Sequence, residues 1–340
     1  RNRDFLTEGP SDRRVYDVIA GNPPYLRAAN VPPLLRSEYD AVIPPYARSD
    51  LMHGFLDRCS RVLAEDGELC MVTADRWLFN SGAAALRAAM GASWGIDHLE
   101  RLDPETAFYR PKQRVKGAPP RIHPVAVVLR RPSDCSVARL SSAAVYPDAP
   151  AEAGPAGRTL GDVAQVRLAP WLGAFGIFVV DRETARQLPP ECLVPAVDTD
   201  DIVDGRLRPA TRYAIRTVAD REPPPEVLAH LRANMHRMAA RGRRRCEWLP
   251  PETWAHHDLS RPSLLVPRIS QTLRTVRVPP GTLAMNHNLT VVSAAEASLD
   301  EIEAILASQR AQAWVDARAP RLEHEYLSIT TSFLRQLPIE

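Results

Sequence analysis

The sequence predicts an α/β protein in two parts: a mainly parallel sheet over residues 1–132 and an α+β domain over 158–340, joined by a linker at 133–157. Three observations predict this. Two nearly continuous apolar runs, Val15 to Ala20 and Leu69 to Thr73, read as strands covered on both faces. Helical and strand patterns alternate around them, as in parallel sheets with helical crossovers. The composition then breaks between Ser133 and Gly157, which is rich in Ala, Pro, Ser and Gly, before a new pattern opens at Leu160.

The elements follow in order. Val15 to Ala20 is the first strand. Gly21 then releases the backbone, and Pro23-Pro24 forbid both helix and ladder pairing. Asn22, two rigid carbonyls and the Tyr25 ring are thereby held at the carboxyl end of a strand, where open α/β sheets bind ligands. Tyr25 to Ala47, rich in Pro and Tyr, reads as a loop folding over a substrate. Ser49-Asp50 caps a helix whose apolar face is Met52, Phe55, Leu56, Cys59, Val62 and Leu63, and Glu65-Asp66-Gly67 ends it. Leu69 to Thr73 is the next strand, with Asp75-Arg76-Trp77-Leu78 at its carboxyl end. A helix over Ala83 to Met90 and strands over Ile96 to Leu102 and Pro124 to Leu129 complete this part. Ser136 to Tyr146 has weak strand character. Beyond it, Phe175 to Val180 reads as a strand and Pro225 to Ala240 as a helix, with Val227, Leu228, Leu231, Met235 and Met238 on its apolar face.

The strand-end group Asn22-Pro23-Pro24-Tyr25 suits a planar amine with two hydrogens, such as the exocyclic amine of adenine. The Asn22 side-chain oxygen and the Pro23 carbonyl each accept one N–H, and Tyr25 stacks on the ring. Such an amine is a poor nucleophile because its lone pair is delocalised. Two fixed acceptors favour a pyramidal nitrogen and stabilise the positive charge that develops as it attacks. An electrophilic methyl group on a sulfonium is the matching partner, and it requires no metal and no covalent enzyme intermediate. A Pro-rich turn after a strand is the plainer reading in a chain with 32 prolines.

Asp4-Phe5-Leu6, a polar spacer, and Tyr16 to Tyr25 together resemble the gamma group of adenine-N6 DNA methyltransferases. The likeness is strongest to the restriction-linked, type IIG-like members that carry their own target-recognition domain. The resemblance implies a partial Rossmann-like methyltransferase sheet over residues 1–132, S-adenosylmethionine as cofactor, and double-stranded DNA as partner. It implies that Asp4 binds the cofactor's adenine amine through its carboxylate, that Phe5 contributes its backbone N–H and packing, and that Asn22 also borders the cofactor. The implied function is site-specific adenine methylation in a restriction-modification or phage-defence system. The chain begins at Arg1, three residues before Asp4, and no Gly-rich strand-to-helix turn follows; the expectation is that an amino-terminal part with the main cofactor loop is absent.

Composition fits a non-membrane globular protein, at 45% hydrophobic and 25% charged residues, with no apolar run long enough for a membrane span. Five cysteines without paired spacing signal neither a zinc site nor disulfides, so a cytoplasmic location is expected. His256-His257-Asp258 reads as a surface turn and not as a metal site.

Two basic stretches point to a polyanion. From Phe108 to Arg131 there are seven basic residues and no acidic one, and Lys112, Arg114 and Lys116 are expected on phosphates. The resemblance places an aromatic here against the flipped adenine, a role carried to Phe108 with Tyr109 as competitor. From Arg206 to Arg277 there are 15 arginines and six acidic residues, densest at Arg243-Arg244-Arg245, which are expected to contact phosphate. Gln271 and Arg274 are candidates for base readout, and Asn286-His287-Asn288 is a further polar cluster that turn chemistry explains equally well. Methylation of RNA adenine or protein glutamine, and a non-catalytic DNA-specificity module, are the competing readings. The DNA target is not legible, and any nuclease would lie outside these residues.

Overall fold

The computed structural model describes residues 4–7, 16–103, 107, 123–147, 157–242, 244–294, 296–322 and 326–339, with Arg241 described by its backbone alone. Phe108, Tyr109, Lys112, Arg114, Lys116 and Arg243, all singled out above, lie outside the described residues. The chain forms a mixed α/β structure with several sheets, divided into two compact units, Arg1–Ala153 and Gly154–Glu340.

In the first unit, β1 (Tyr16–Gly21) leads through α1 (Pro33–Val42) and α2 (Leu51–Val62) to β2 (Leu63–Ala74). Then α3 (Arg76–Phe79) and α4 (Ala84–Gly91) lead to β3 (Gly95–Arg101), β4 (Pro124–Arg130) and β5 (Ala138–Arg139). Asp50 caps α2 by accepting the Met52 N–H at 3.0 Å, and Met52, Leu56, Cys59 and Val62 are buried as the periodicity requires. The stretch expected as a loop instead contains α1. Its start uses Pro33 at the first helical position, where a missing N–H costs nothing.

The sheet order is β1-β2-β4-β3-β5. β1 and β2 are parallel, but β4 slots antiparallel between β2 and β3, and β5 is antiparallel to β3. The expected mainly parallel sheet is therefore corrected: the two helical crossovers make β1, β2 and β3 run the same way, yet only one adjacent pair is parallel. β1 is not covered on both faces either. Among the described residues it pairs with β2 alone, and Tyr16 and Val18 are 42% and 62% exposed. Beneath β2, β3 and β4 lies a core that includes Leu56, Leu69, Trp77, Leu86, Trp94, Ile96 and Val127.

Residues 133–147, expected as the start of a linker, are packed onto this unit. Leu140 enters the core, β5 extends the sheet, and the Val145 N–H donates to the Leu78 carbonyl at 2.8 Å. Tyr146 stacks on Phe79 with ring centroids 5.7 Å apart. The buried Arg87 guanidinium binds the Ser142 and Ala143 carbonyls at 2.9 and 2.8 Å, and also those of Trp77 and Asn80. Composition cannot reveal such anchoring, because it depends on one arginine some 55 residues away.

The second unit opens with α5 (Leu160–Val163), β6 (Ala164–Leu168), β7 (Val179–Asp181), α6 (Arg182–Ala185) and β8 (Leu193–Val197). A short hairpin, β9 (Ile202–Val203) and β10 (Arg206–Leu207), is followed by β11 (Arg212–Ile215) and α7 (Pro225–Asn234). Next come β12 (Ser263–Val266), β13 (Ile269–Ser270), β14 (Val276–Val278), β15 (Leu283–Ala284) and β16 (Leu289–Ser293). The described chain closes with α8 (Leu299–Leu306), α9 (Gln309–Arg318), β17 (Leu327–Ser328) and α10 (Thr331–Arg335). Two four-stranded sheets result, ordered β15-β8-β11-β7 and β14-β12-β16-β6. The Phe175 to Val180 strand is shorter than expected, because Gly176, at φ +85°, turns the chain just before β7.

Asn286 and His287, both in the left-handed region at φ +61° and +60°, carry the chain from β15 in one sheet to β16 in the other. The carboxylate of Asp198 holds this crossing by accepting the side-chain N–H groups of Asn286 and Asn288. Both asparagine amides thus serve the crossing itself.

Candidate strand-end site and basic surface

Asn22, Pro23, Pro24 and Tyr25 lie at the carboxyl end of β1, one residue beyond the last ladder pair, Gly21 with Met71. The Tyr25 hydroxyl reaches two acceptors, the Asn22 amide oxygen and the Val72 carbonyl, the latter at 2.8 Å. Its single proton can serve one of them at a time. The bond to Val72 ties the motif to the neighbouring strand, so the ring's position is set by the β1–β2 pairing. Burial pushes the Tyr25 phenol up to about 12, so it is neutral at ordinary pH. Asn22 is exposed and Pro23 buried, which leaves the amide facing solvent on an anchored backbone.

Asp4 and Phe5 sit in a short turn on the same unit. The Asp4 carboxylate accepts the backbone N–H groups of Leu6 and Thr7 at 2.8 and 3.1 Å and the Tyr39 hydroxyl at 2.8 Å. Burial acts to raise its pKa, but the hydrogen bonds from Tyr39, Thr7 and Leu6 together outweigh this and hold it below the ordinary carboxylate value. The same bond pushes the Tyr39 phenol up to about 12. Phe5 stacks on Phe55, with ring centroids 5.3 Å apart, and Leu6 is buried in the core. The turn is thus fixed from α1 and α2. No hydrogen bond among the described residues joins Asp4 to Asn22.

Motif reading assigned no role to Asp75, which follows β2 directly. Its side chain is 1% exposed; one oxygen accepts from Arg101 at 2.8 Å and the other has no partner among the described residues. Desolvation pushes its pKa up against the opposing pull of Arg101 and His123. A buried acid at the carboxyl end of the strand beside β1 is the kind of group that clusters at functional sites. The sequence offered one signal, a charged residue at the end of an apolar run.

The arginine-rich stretch of the second unit divides by environment. Arg244 donates from both Nε and Nη2 to the Pro251 carbonyl, so its fork is occupied within the protein. Arg245 and Arg274 are exposed and have no side-chain partner among the described residues, while Gln271 is exposed in the same inter-strand segment as Arg274. Arg212 is paired with Asp201, Arg232 with Glu247, and Arg277 with Asp300 and Glu303. His256 and His257 stand edge to face at 4.7 Å, and burial lowers the His257 pKa. No group of three His, Cys, Asp or Glu side chains among the described residues could hold a metal ion, and no helix there is long and apolar enough to cross a membrane.

The fold is similar to that of the type IIL restriction-modification enzyme MmeI, solved in complex with DNA, at a TM-score of 0.62 and 14% identity over 93% of this chain. The chain spans 45% of that protein. It is 24% identical to the type II methyltransferase M.XhoI of Xanthomonas vasicola, over 95% of this chain and 68% of that protein. An adenine-specific methyltransferase, PglX of Lacticaseibacillus casei (strain Zhang), is 28% identical over 34% of this chain. Residues 2–108, which include Asp4, Phe5 and the whole strand-end motif, match the Eco57I restriction-modification methylase family.

Proposed function

We propose that this chain belongs to a site-specific adenine-N6 DNA methyltransferase of the gamma group, one that uses S-adenosylmethionine and serves a restriction-modification or phage-defence system. The carrying observation is the placement of Asn22-Pro23-Pro24-Tyr25 at the carboxyl end of β1, locked to β2 through the Tyr25–Val72 hydrogen bond. The type II methyltransferase relative supports methyl transfer, and the adenine-specific relative supports the choice of base.

In this reading S-adenosylmethionine, when bound, supplies the methyl group as an electrophile on sulfur. The residues fit it at one end. Asp4 is held ionised by the hydroxyl and N–H groups around it and is the carboxylate that would meet the adenine amine. Phe5 is fixed against Phe55 beside it. The target amine donates to Asn22 Oδ1 and to the Pro23 carbonyl. The Tyr25 hydroxyl, displaced from Asn22, keeps its bond to Val72, so the ring stays in place to stack on the base. Asn22 and Pro23 would hold the amine for transfer of that methyl group and stabilise the positive charge it gains, and the proton it then gives up would pass to water. A base inside a duplex cannot reach this strand end, so it is flipped, at a cost of roughly a few kcal/mol. The arginine-rich second unit is the target-recognition domain, with Arg245 positioning the duplex and Gln271 and Arg274 facing the bases.

Transfer of labelled methyl groups to duplex DNA by the full protein tests this. Asn22→Ala is expected to lower turnover at least ~100-fold, the scale of losing a preorganised transition-state contact, with duplex affinity within a few fold. Unchanged turnover, or label on a base other than adenine, would overturn the assignment.

A further inference from the structure

The β9–β10 hairpin carries two arginines that none of the preceding roles uses. Its tip is Asp204-Gly205, both left-handed at φ +51° and +72°, as a tight two-residue turn requires. Leu207 and Ala210 pack on a small core of Ala169, Val197, Leu265, Val278 and Ala284, which seats the hairpin on the second unit. Arg206 lies in β10, and Arg208 directly follows it, held to the other arm by its N–H donating to the Asp201 carbonyl at 2.9 Å. Both are exposed, and neither has a side-chain partner among the described residues. Together with Thr275, Arg277 and Thr282 they line a cleft of about 480 Å³ between the hairpin and β14. Arg274, also exposed and unpartnered, directly precedes Thr275.

The far wall behaves differently. Arg277 donates to both Asp300 and Glu303, with the Glu303 contact from Nε at 2.6 Å, and these bonds push its pKa up. In that cluster both carboxylates are paired with Arg277, including Glu303, which itself lines the cleft. The cleft therefore presents two unpaired guanidinium groups and two hydroxyls beside a charge-compensated ion cluster. Two forks two residues apart on one arm of the hairpin suit a run of phosphates. A two-stranded ribbon is also narrow enough to follow a groove of duplex DNA.

We infer that this cleft is a phosphate-binding track for duplex DNA, in which Arg206 and Arg208 each neutralise a backbone phosphate. The inference rests on the DNA-methyltransferase reading and gives the hairpin a positioning role that is independent of base identity.

The test is a titration of duplex binding by the full chain at several salt concentrations, on target and scrambled duplexes. Arg206→Ala with Arg208→Ala should weaken both duplexes alike and flatten the slope of log affinity against log salt by about 1.8, at roughly 0.9 per phosphate. Arg206→Lys with Arg208→Lys keeps the charges and should retain the slope, and an unchanged melting temperature confirms folding. Arg221→Ala removes an exposed arginine beside Cys192, which adjoins the opposite end of β8 from the cleft, and should leave the slope unaltered. If the double alanine variant keeps the parental slope, or loses preference for the target without a change in slope, the phosphate track is refuted while the methyltransferase reading stands. If the unsubstituted chain binds no duplex, the parent reading falls with it.

Discussion

Arg87 in the first unit and Arg206 with Arg208 in the second are the same chemical group in opposite situations. Arg87 is 1% exposed, and its donors serve four backbone carbonyls with no carboxylate partner among the described residues. Desolvation lowers its pKa. Arg206 and Arg208 are exposed and bind no side chain. Arg244 stands between them, embedded in the densest basic run yet bound to the Pro251 carbonyl. The count of cations along a segment therefore does not say which of them a polyanion can use. An arginine whose fork is held by carbonyls would have to break local structure to grip a phosphate.

The largest effect should come at the buried extreme. Arg87→Leu leaves the carbonyls of Trp77, Asn80, Ser142 and Ala143 without their donor and is expected to cost the first unit roughly 3–5 kcal/mol. Denaturant unfolding measures this; a loss under about 1 kcal/mol would mean that water replaces the guanidinium and that residues 141–146 are not anchored by it.

Next, Arg244 and Arg245 should separate. Arg244→Ala should lower stability by about 1 kcal/mol through the lost Pro251 contacts and leave the salt slope of duplex binding alone. Arg245→Ala should do the reverse, with stability within ~0.5 kcal/mol and the slope flatter by about 0.9 if it meets one phosphate. Identical behaviour of the two variants would erase the distinction between committed and free arginines.

The smallest effect concerns Tyr25, a half-buried phenol whose one proton bonds within the protein. Its pKa is raised to about 12 against 10 for an ordinary tyrosine. The unfolded chain thus releases this proton first as pH rises. The stabilisation is fully present below pH 10 and is lost as pH climbs towards 12. Tyr39 and Tyr46 are raised to about 12 as well, so the parent protein should lose melting temperature through that window from all three. Tyr25→Phe should shallow the decline by one tyrosine's share. An identical alkaline profile would show that the Tyr25 phenol is not desolvated at the strand end.

The sequence by itself determined the features that depend on neighbouring residues. Gly21 and Pro23-Pro24 restrict the backbone locally, so the break after β1 and the placement of Asn22 and Tyr25 at its end could be read directly. The Asp50 cap and the apolar face of α2, and the strands β3 and β4, are legible for the same reason: each is written in spacing over a few residues. Other outcomes required the tertiary structure because they join distant positions. β4 lies antiparallel between β2 and β3, a choice of partner that no local period encodes. The apolar run of β1 is exposed because burial depends on neighbours rather than on composition. Tyr25 meets Val72, 47 residues on, and Arg87 draws in residues 142 and 143, so neither the anchored motif nor the end of the first unit could be read from spacing. The same holds for the arginines: the sequence shows where they are dense, but only folding decides which keep their donors free.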